Sequence, residues 1–183
     1  MGQRRRLRQL NLTRTMKHFF IAIALLLVAP LSAQQYLTRQ GTITFDAGSP
    51  LEDIAAKSES ASAVYDSETG KLGVQVLMTS FVFKRALMQE HFNENYVESE
   101  TYPKASFRGT FSDGRAVGTL TLHGVSKEID VPASLSVEGD VAKLHTEFPV
   151  SVADFEIGIP KTVANKIDKE AKTTVDCTLK LRR

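Results

Sequence analysis

The stretch Gly118–Pro132 reads G-T-L-T-L-H-G-V-S-K-E-I-D-V-P. Leu120 and Leu122 alternate with Thr119, Thr121 and His123, and past Gly124 the alternation resumes with Ile129 and Val131 against Glu128 and Asp130. A period of two means strands with one face buried and one wet. The short break at Gly124–Ser126 makes the pair a hairpin. Ser112-Asp113-Gly114 lies before it and Glu138-Gly139-Asp140 after it, both turn signals between alternating runs. Lys104–Phe111, Arg115–His123, Lys127–Val137 and Val141–Val150 therefore read as a meander of four antiparallel strands. Its inward residues are Phe107, Phe111, Leu120, Leu122, Ile129, Val131, Leu135, Leu144, Phe148 and Val150, with Ala116 and Gly118 small where the others are large.

Upstream, Tyr36–Phe45 reads as a strand with Leu37, Gly41, Ile43 and Phe45 on one face. Ile54–Tyr65 is a second strand. Lys57 and Glu59 demand water, so Ala56, Ser58, Ser60 and Ser62 are expected to face inward. Such a face leaves volume that either large side chains from across the core or a non-protein occupant must fill. Leu72, Val74, Val76 and Met78 alternate next. Phe81 and Phe83 fall on the opposite parity, so a bulge or bend is expected near Leu77–Ser80. Lys84–Tyr96 switches to helical spacing, placing Leu87, Met88, His91, Phe92 and Tyr96 on one apolar face of a short helix. Downstream, Pro160–Ile167 suits a helical turn with proline first. Lys169–Arg182 is the last strand, with Ala171, Thr173, Val175, Cys177, Leu179 and Leu181 inward.

The sum is an all-β domain of eight antiparallel strands and one short amphipathic helix. Eight strands can close into a barrel, which abolishes sheet edges and leaves a bore that side chains fill or that holds one slender ligand. A two-sheet sandwich fits the same pattern.

The chain's first 33 residues read as a separate segment. Met16-Lys17-His18 is a charged start, Phe19–Ala29 an apolar core, and Leu31-Ser32-Ala33 a cleavage site, which together have the form of a secretory signal. Residues 1–15 carry five Arg and no acid, which makes Met16 an alternative initiator. Six of the 23 Lys and Arg precede Gln34, leaving 17 against 21 acids, a net charge of −4 on residues 34–183. The basic balance belongs to the leader, so nucleic acid is not an expected partner. The single cysteine, Cys177, rules out an internal disulfide. The expected location is the periplasm or the exterior. Nothing in the sequence sets an oligomeric state.

No catalytic constellation stands out. A G-x-S-x-G elbow is missing, and His91, His123 and His145 lie on three different elements with no metal-ligand spacing. His123 and His145 fall at outward or turn positions by parity, and Cys177 reads as a small buried hydrophobe. The chain is thus expected to be non-enzymatic, without metal or tightly held cofactor. A hydrolase or isomerase of lipid-like substrates, with His91 or Cys177 reactive, is the enzymatic alternative. A filled barrel serving as an interaction module is the structural one.

Four stretches stand in order: His91-Phe92; Tyr102-Pro103-Lys104-Ala105-Ser106-Phe107; Gly118–Lys127; and Asp154-Phe155-Glu156-Ile157-Gly158-Ile159. Together they resemble the YceI-like family of exported proteins, whose members show a y-P-x-a-x-F strand start, a G-x-L-T-l-x-G-v-[TS]-k hairpin and a d-F-G-i segment. The resemblance covers residues 80–160. Tyr36–Phe45 lacks the D-x-x-H-S-x-v-x-F opening found in that family, and Glu156 interrupts F-G-i. The resemblance implies a lipocalin-like barrel with a tunnel for an isoprenoid, such as a quinone or polyprenol, or another amphiphilic lipid, and it allows transient contact with a membrane. Residues expected to contact the lipid are Phe81, Phe83, Leu87, Met88, Phe92, Phe107, Phe111, Leu120, Leu122, Ile129, Phe148 and Phe155. Ser58 and Ser60 would make room for it.

Overall fold

The computed structural model describes residues 34–182. The export signal expected in residues 1–33 lies outside the described residues. Nine strands follow in order: β1 (Gln35–Gly48), β2 (Ala55–Asp66), β3 (Lys71–Leu77), β4 (Val82–Phe83), β5 (Lys104–Ser112), β6 (Arg115–Leu122), β7 (Val125–Glu138), β8 (Val141–Ser151) and β9 (Ile167–Leu181). Sheet order is β1-β9-β8-β7-β6-β5-β3-β2, and β1 pairs again with β2. Eight antiparallel strands thus close on themselves, so the barrel holds and the sandwich does not. The two-residue β4 is an addition, pairing Phe83 with Ala56 beyond the end of β3.

The meander forms as its alternation and turn residues dictate. Asp113 and Gly114 have φ of 52° and 75°, and His123 and Gly124 have 52° and 74°. Two consecutive positive φ values are what a two-residue hairpin turn needs to match the twist of its strands. The β6–β7 turn is therefore His123-Gly124, and Val125 already pairs with Leu122.

Strands β1 and β2 depart from simple alternation. Thr38 and Gly41 of β1 face Ala63 and Ala61 of β2, so β1 carries an extra residue there. Further along, Gly41 and Ile43 face Ala61 and Ser58, so the extra residue lies in β2 at Glu59–Ser60. Each bulge flips the side chains beyond it. Tyr36 is buried and Leu37 exposed, the reverse of the expected face. In β2, Ala56 and Ser58 point inward as expected, but the inner face continues with Ala61, Ala63 and Tyr65. Ser60 is exposed, Ser62 half-buried and Val64 exposed.

The phase change before Phe81 is a short 3₁₀ turn, Met78–Ser80, rather than a bulge. Ser80 Oγ lies 2.7 Å from Ser58 Oγ and donates to the Leu77 carbonyl at 2.6 Å. Met78, Phe81 and Phe83 are all buried. The helix α1 (Ala86–His91) runs directly into a π-turn, Phe92–Tyr96. That wider turn changes the buried face: Met88, Phe92, Tyr96 and Val97 pack inward, whereas Leu87 and His91 are exposed. Residues 161–166 form successive turns and no helix, and β9 begins at Ile167 rather than Lys169.

Cys177 is buried on β9 against Gly41, where a Cβ would sit 2.5 Å from its Sγ. Burial, with the Asp176 carboxylate beside it, pushes the thiol up to about 11. At pH 8 about 0.1 % is then thiolate, against roughly a quarter for an ordinary cysteine. Alkylation by iodoacetamide followed by mass spectrometry should be at least 100-fold slower in the native protein than in denaturant. Comparable rates would contradict this packing.

Candidate functional site

One end of the barrel is solid. Tyr36 is 1 % exposed, with its hydroxyl donating to the Gly139 carbonyl at 2.9 Å. Tyr65 lies in the neighbouring position on β2, and Phe111 meets it edge-on with ring centres 6.4 Å apart. Leu179 and Ala142, paired across β8 and β9, have no exposed surface. Burial raises the Tyr65 phenol, reinforced by Asp66 and Tyr36, so Tyr65 stays neutral.

Above this floor the barrel is hollow. A cavity of about 210 Å³ runs from Leu72, Ala116 and Leu144 up to Val152, Ile157, Ile159 and Ile167. Its wall on β6 and β7 is Leu120, Leu122, Ile129 and Val131, half-buried although they point inward. Inward side chains keep accessible surface only where nothing faces them, and here the void faces them. Phe107, Phe148 and Val150 complete that side.

On the opposite side stands an aromatic cluster. Phe45 stacks on Phe92 with centres 5.3 Å apart and meets Phe81 and Phe83 edge-on at 5.3 and 5.7 Å. These offset and edge-on arrangements suit the ring quadrupoles. β1, the residue after the 3₁₀ turn, β4 and the π-turn supply the rings, so the helix segment closes the wall that the short β3 and β4 leave open. Among the described residues, no titratable side chain other than Tyr96 lines the bore, and its few other polar residues, including Gln75, Ser106, Thr146 and Thr173, belong to strands. Thr146 Oγ1 donates to the Pro132 carbonyl at 2.7 Å, so its proton is directed at the backbone rather than the void.

A strap crosses the open end between β8 and β9. Ala153–Phe155 makes a 3₁₀ turn, and Glu156 follows with φ 57°. That left-handed conformation suits glycine, so the interrupted F-G-i motif costs this chain roughly 1 kcal/mol. Ile157 and Ile159 then reach into the bore. Two polar ties hold the strap. His123 Nδ1–H donates to the Phe155 carbonyl at 3.0 Å, its ring is edge-on to Tyr102 at 4.6 Å, and its Nε2 is 3.4 Å from Glu98 Oε1. Lys166 Nζ is 3.9 Å from Glu52 Oε2, and Arg85 pairs with the same carboxylate. His123 is thus a clamp with only 10 % of its side chain exposed, not the solvated surface residue that parity suggests.

Of the residues expected to contact a ligand, Phe81, Phe83, Met88, Phe92, Phe107, Leu120, Leu122, Ile129 and Phe148 all reach one cavity. Five do not. Phe111 belongs to the floor, Phe155 is buried beneath the strap, and Leu87 is 62 % exposed. Ser58 is tied to Ser80, and Ser60 faces solvent. The small inner face of β2 is packed by its neighbours and makes no room for a ligand. Phe45, inward on β1 as expected, also joins the wall, and the sequence reading missed Ile157 and Ile159. The alternation Ile157-Gly158-Ile159 was their only sequence signal, and it lies outside any strand.

Among the described residues no three His, Cys, Asp or Glu side chains come together as a metal site, and no helix is long and apolar enough to cross a membrane. His145 pairs with Asp176 at 2.7 Å on the outer surface, away from the bore.

No curated protein matches the chain. Solved structures match its fold. A polyisoprenoid-binding domain from Saccharophagus degradans superposes with a TM-score of 0.69 at 12 % identity, covering 82 % of this chain and all of that one. BcnA of Burkholderia cenocepacia gives 0.65 at 14 % identity, covering 76 % and 95 %. The Campylobacter jejuni YCEI protein gives 0.57 at 16 % identity, covering 72 % and 86 %. The YceI-like domain profile spans residues 36–179, nearly the whole barrel from Tyr36 in the floor to Leu179 beside it. With that match, and with a closed antiparallel barrel carrying one short helix, the chain belongs to the YceI-like family.

Proposed function

We propose that this protein is an exported, non-enzymatic carrier that holds an isoprenoid or other amphiphilic lipid in its bore. One observation carries the reading: a continuous cavity from Leu144 to Ile159 walled almost wholly by aliphatic and aromatic side chains. Water gains little from such a wall, whereas each buried CH₂ of a ligand contributes roughly 0.8 kcal/mol. A tail of fifteen or more carbons thus supplies on the order of 10 kcal/mol, comparable to the ~4–15 kcal/mol lost on association. The similar polyisoprenoid-binding domain supports the ligand class. The placement of reactive groups supports the absence of catalysis: Cys177 is buried with a raised pKa, and His91 is solvent-exposed on the helix.

Loading requires the open end to meet a membrane briefly. Leu51, Val82 and Leu87 are the most exposed large apolar residues, and all lie at that end. The Glu52–Arg85 pair links the turn bearing Leu51 to the helix bearing Leu87. The test is to express the full chain in a host with an outer membrane, recover the protein from the periplasm, extract it with organic solvent and identify the extract by mass spectrometry. About one lipid per protein is expected. Reproducible absence of lipid from native preparations would overturn the reading.

A further inference from the structure

We infer that the bore selects a lipid with a single tail of about three to four isoprene units, and that Ala116 and Leu144, at its base, gauge the tail's length. The inference rests on the lipid-carrier reading and goes beyond it by setting the number and length of tails.

The base is a rigid stop. None of Tyr36, Tyr65, Phe111 or Leu179 reaches the cavity, whose lowest wall residues include Ala116 and Leu144. Tyr36 is anchored to Gly139 by its hydroxyl, and Phe111 pairs across the strand with Ala116. A tail end pressing down past Ala116 meets this packed layer, which has no other place to go.

The wall gives the length. On β6 it extends from Ala116 to Leu122, and on β8 from Leu144 to the strap residue Val152. At about 3.3 Å per residue and a tilt of about 40°, these spans correspond to roughly 15 and 20 Å along the axis. An extended isoprene unit adds four carbon–carbon bonds of about 1.5 Å in zigzag, close to 5 Å. Three to four units therefore fill the bore.

The volume gives the number of tails. The 210 Å³ is the space through which the centre of a water molecule could move. Spread over about 20 Å, it is a channel of roughly 10 Å² for that centre, with the wall about 1.4 Å farther out. One hydrocarbon chain fits such a tube; two side by side, or one folded back on itself, do not. Because no charged side chain among the described residues lines the bore and its wall is almost wholly apolar, it discriminates by tail geometry, and the head group remains at the strap.

The test uses protein stripped of lipid by organic extraction and refolding, titrated with prenols of about ten, fifteen, twenty and thirty or more carbons and with a diacyl phospholipid. Displacement of a fluorescent fatty-acid probe and native mass spectrometry report binding. Affinity should rise up to the fifteen- to twenty-carbon prenols and then level off, with the diacyl lipid at least tenfold weaker. Ala116→Phe should weaken the twenty-carbon prenol at least tenfold and leave the ten-carbon one within twofold. Leu144→Phe serves the same purpose if Ala116→Phe does not fold. Affinity that continues to climb beyond thirty carbons, equal binding of the diacyl lipid, or an unshifted series in the folded variant would overturn the gauge. Failure of every prenol to bind the wild-type protein would instead overturn the lipid-carrier reading itself.

Discussion

Gly118→Val is expected to cost about 3 kcal/mol or more of folding stability, although valine is the better strand former. Gly118 on β6 lies directly opposite Gly109 on β5. A Cβ at Gly118 would sit 2.4 Å from the Arg108 carbonyl oxygen and 2.5 Å from the Gly109 Cα. The reciprocal Cβ at Gly109 would meet the Val117 carbonyl oxygen at 2.1 Å and the Phe107 ring at 2.8 Å. These neighbours are mostly backbone and cannot swing away, so the two strands must separate. The Phe107 ring lies over the glycine pair and reaches into the bore. Gly158→Ala is the control: a Cβ there meets nothing within 4 Å, and stability should change by no more than about 0.5 kcal/mol. Urea unfolding of both variants decides the matter. A Gly118→Val protein as stable as wild type would mean that β5 and β6 do not approach so closely.

The meander was legible because every signal in it agrees. Alternation and the Asp-Gly and Gly-Asp turns point to the same faces, and Phe107, Leu120, Leu122, Ile129 and Phe148 fall on one cavity for that reason. The misreadings share a cause. A bulge has no residue signature in Thr38–Gly41 or Glu59–Ser60, yet it inverts every side chain beyond it, which moved Leu37 and Ser60 to the outside. The π-turn after His91 narrows the face of a helix: spacing of 3.6 residues put Leu87, Met88, His91, Phe92 and Tyr96 on one apolar face, and only Met88, Phe92 and Tyr96 pack inward. The strap escaped notice because Ile157 and Ile159 line the bore from a segment with no regular period. His123 escaped because its role depends on a carbonyl from a residue far along the chain. Local pattern thus revealed the wall, while tertiary contacts alone revealed its floor and its cover.

That division into floor and hollow bore leads to the other large expected effect. Leu179→Ala should destabilise the lipid-free protein by about 3–5 kcal/mol, and Leu120→Ala by only about 1–2 kcal/mol. Both residues point inward from neighbouring regions of one barrel, and both changes remove the same atoms. Leu179 has no exposed surface and is surrounded on all sides, so truncation forfeits a full shell of contacts and leaves a cavity. Leu120 is half-buried and faces the bore, so part of its surface has no partner atoms to lose. Denaturant midpoints of the stripped variants, compared at equal slope, measure the difference. Adding a bound prenol should then reverse the balance: Leu120→Ala loses ligand contacts and weakens binding, whereas Leu179→Ala, once folded, binds as the wild type does. Equal losses at the two sites in the stripped protein would mean that side chains fill the barrel throughout, and the carrier function would lose its physical basis.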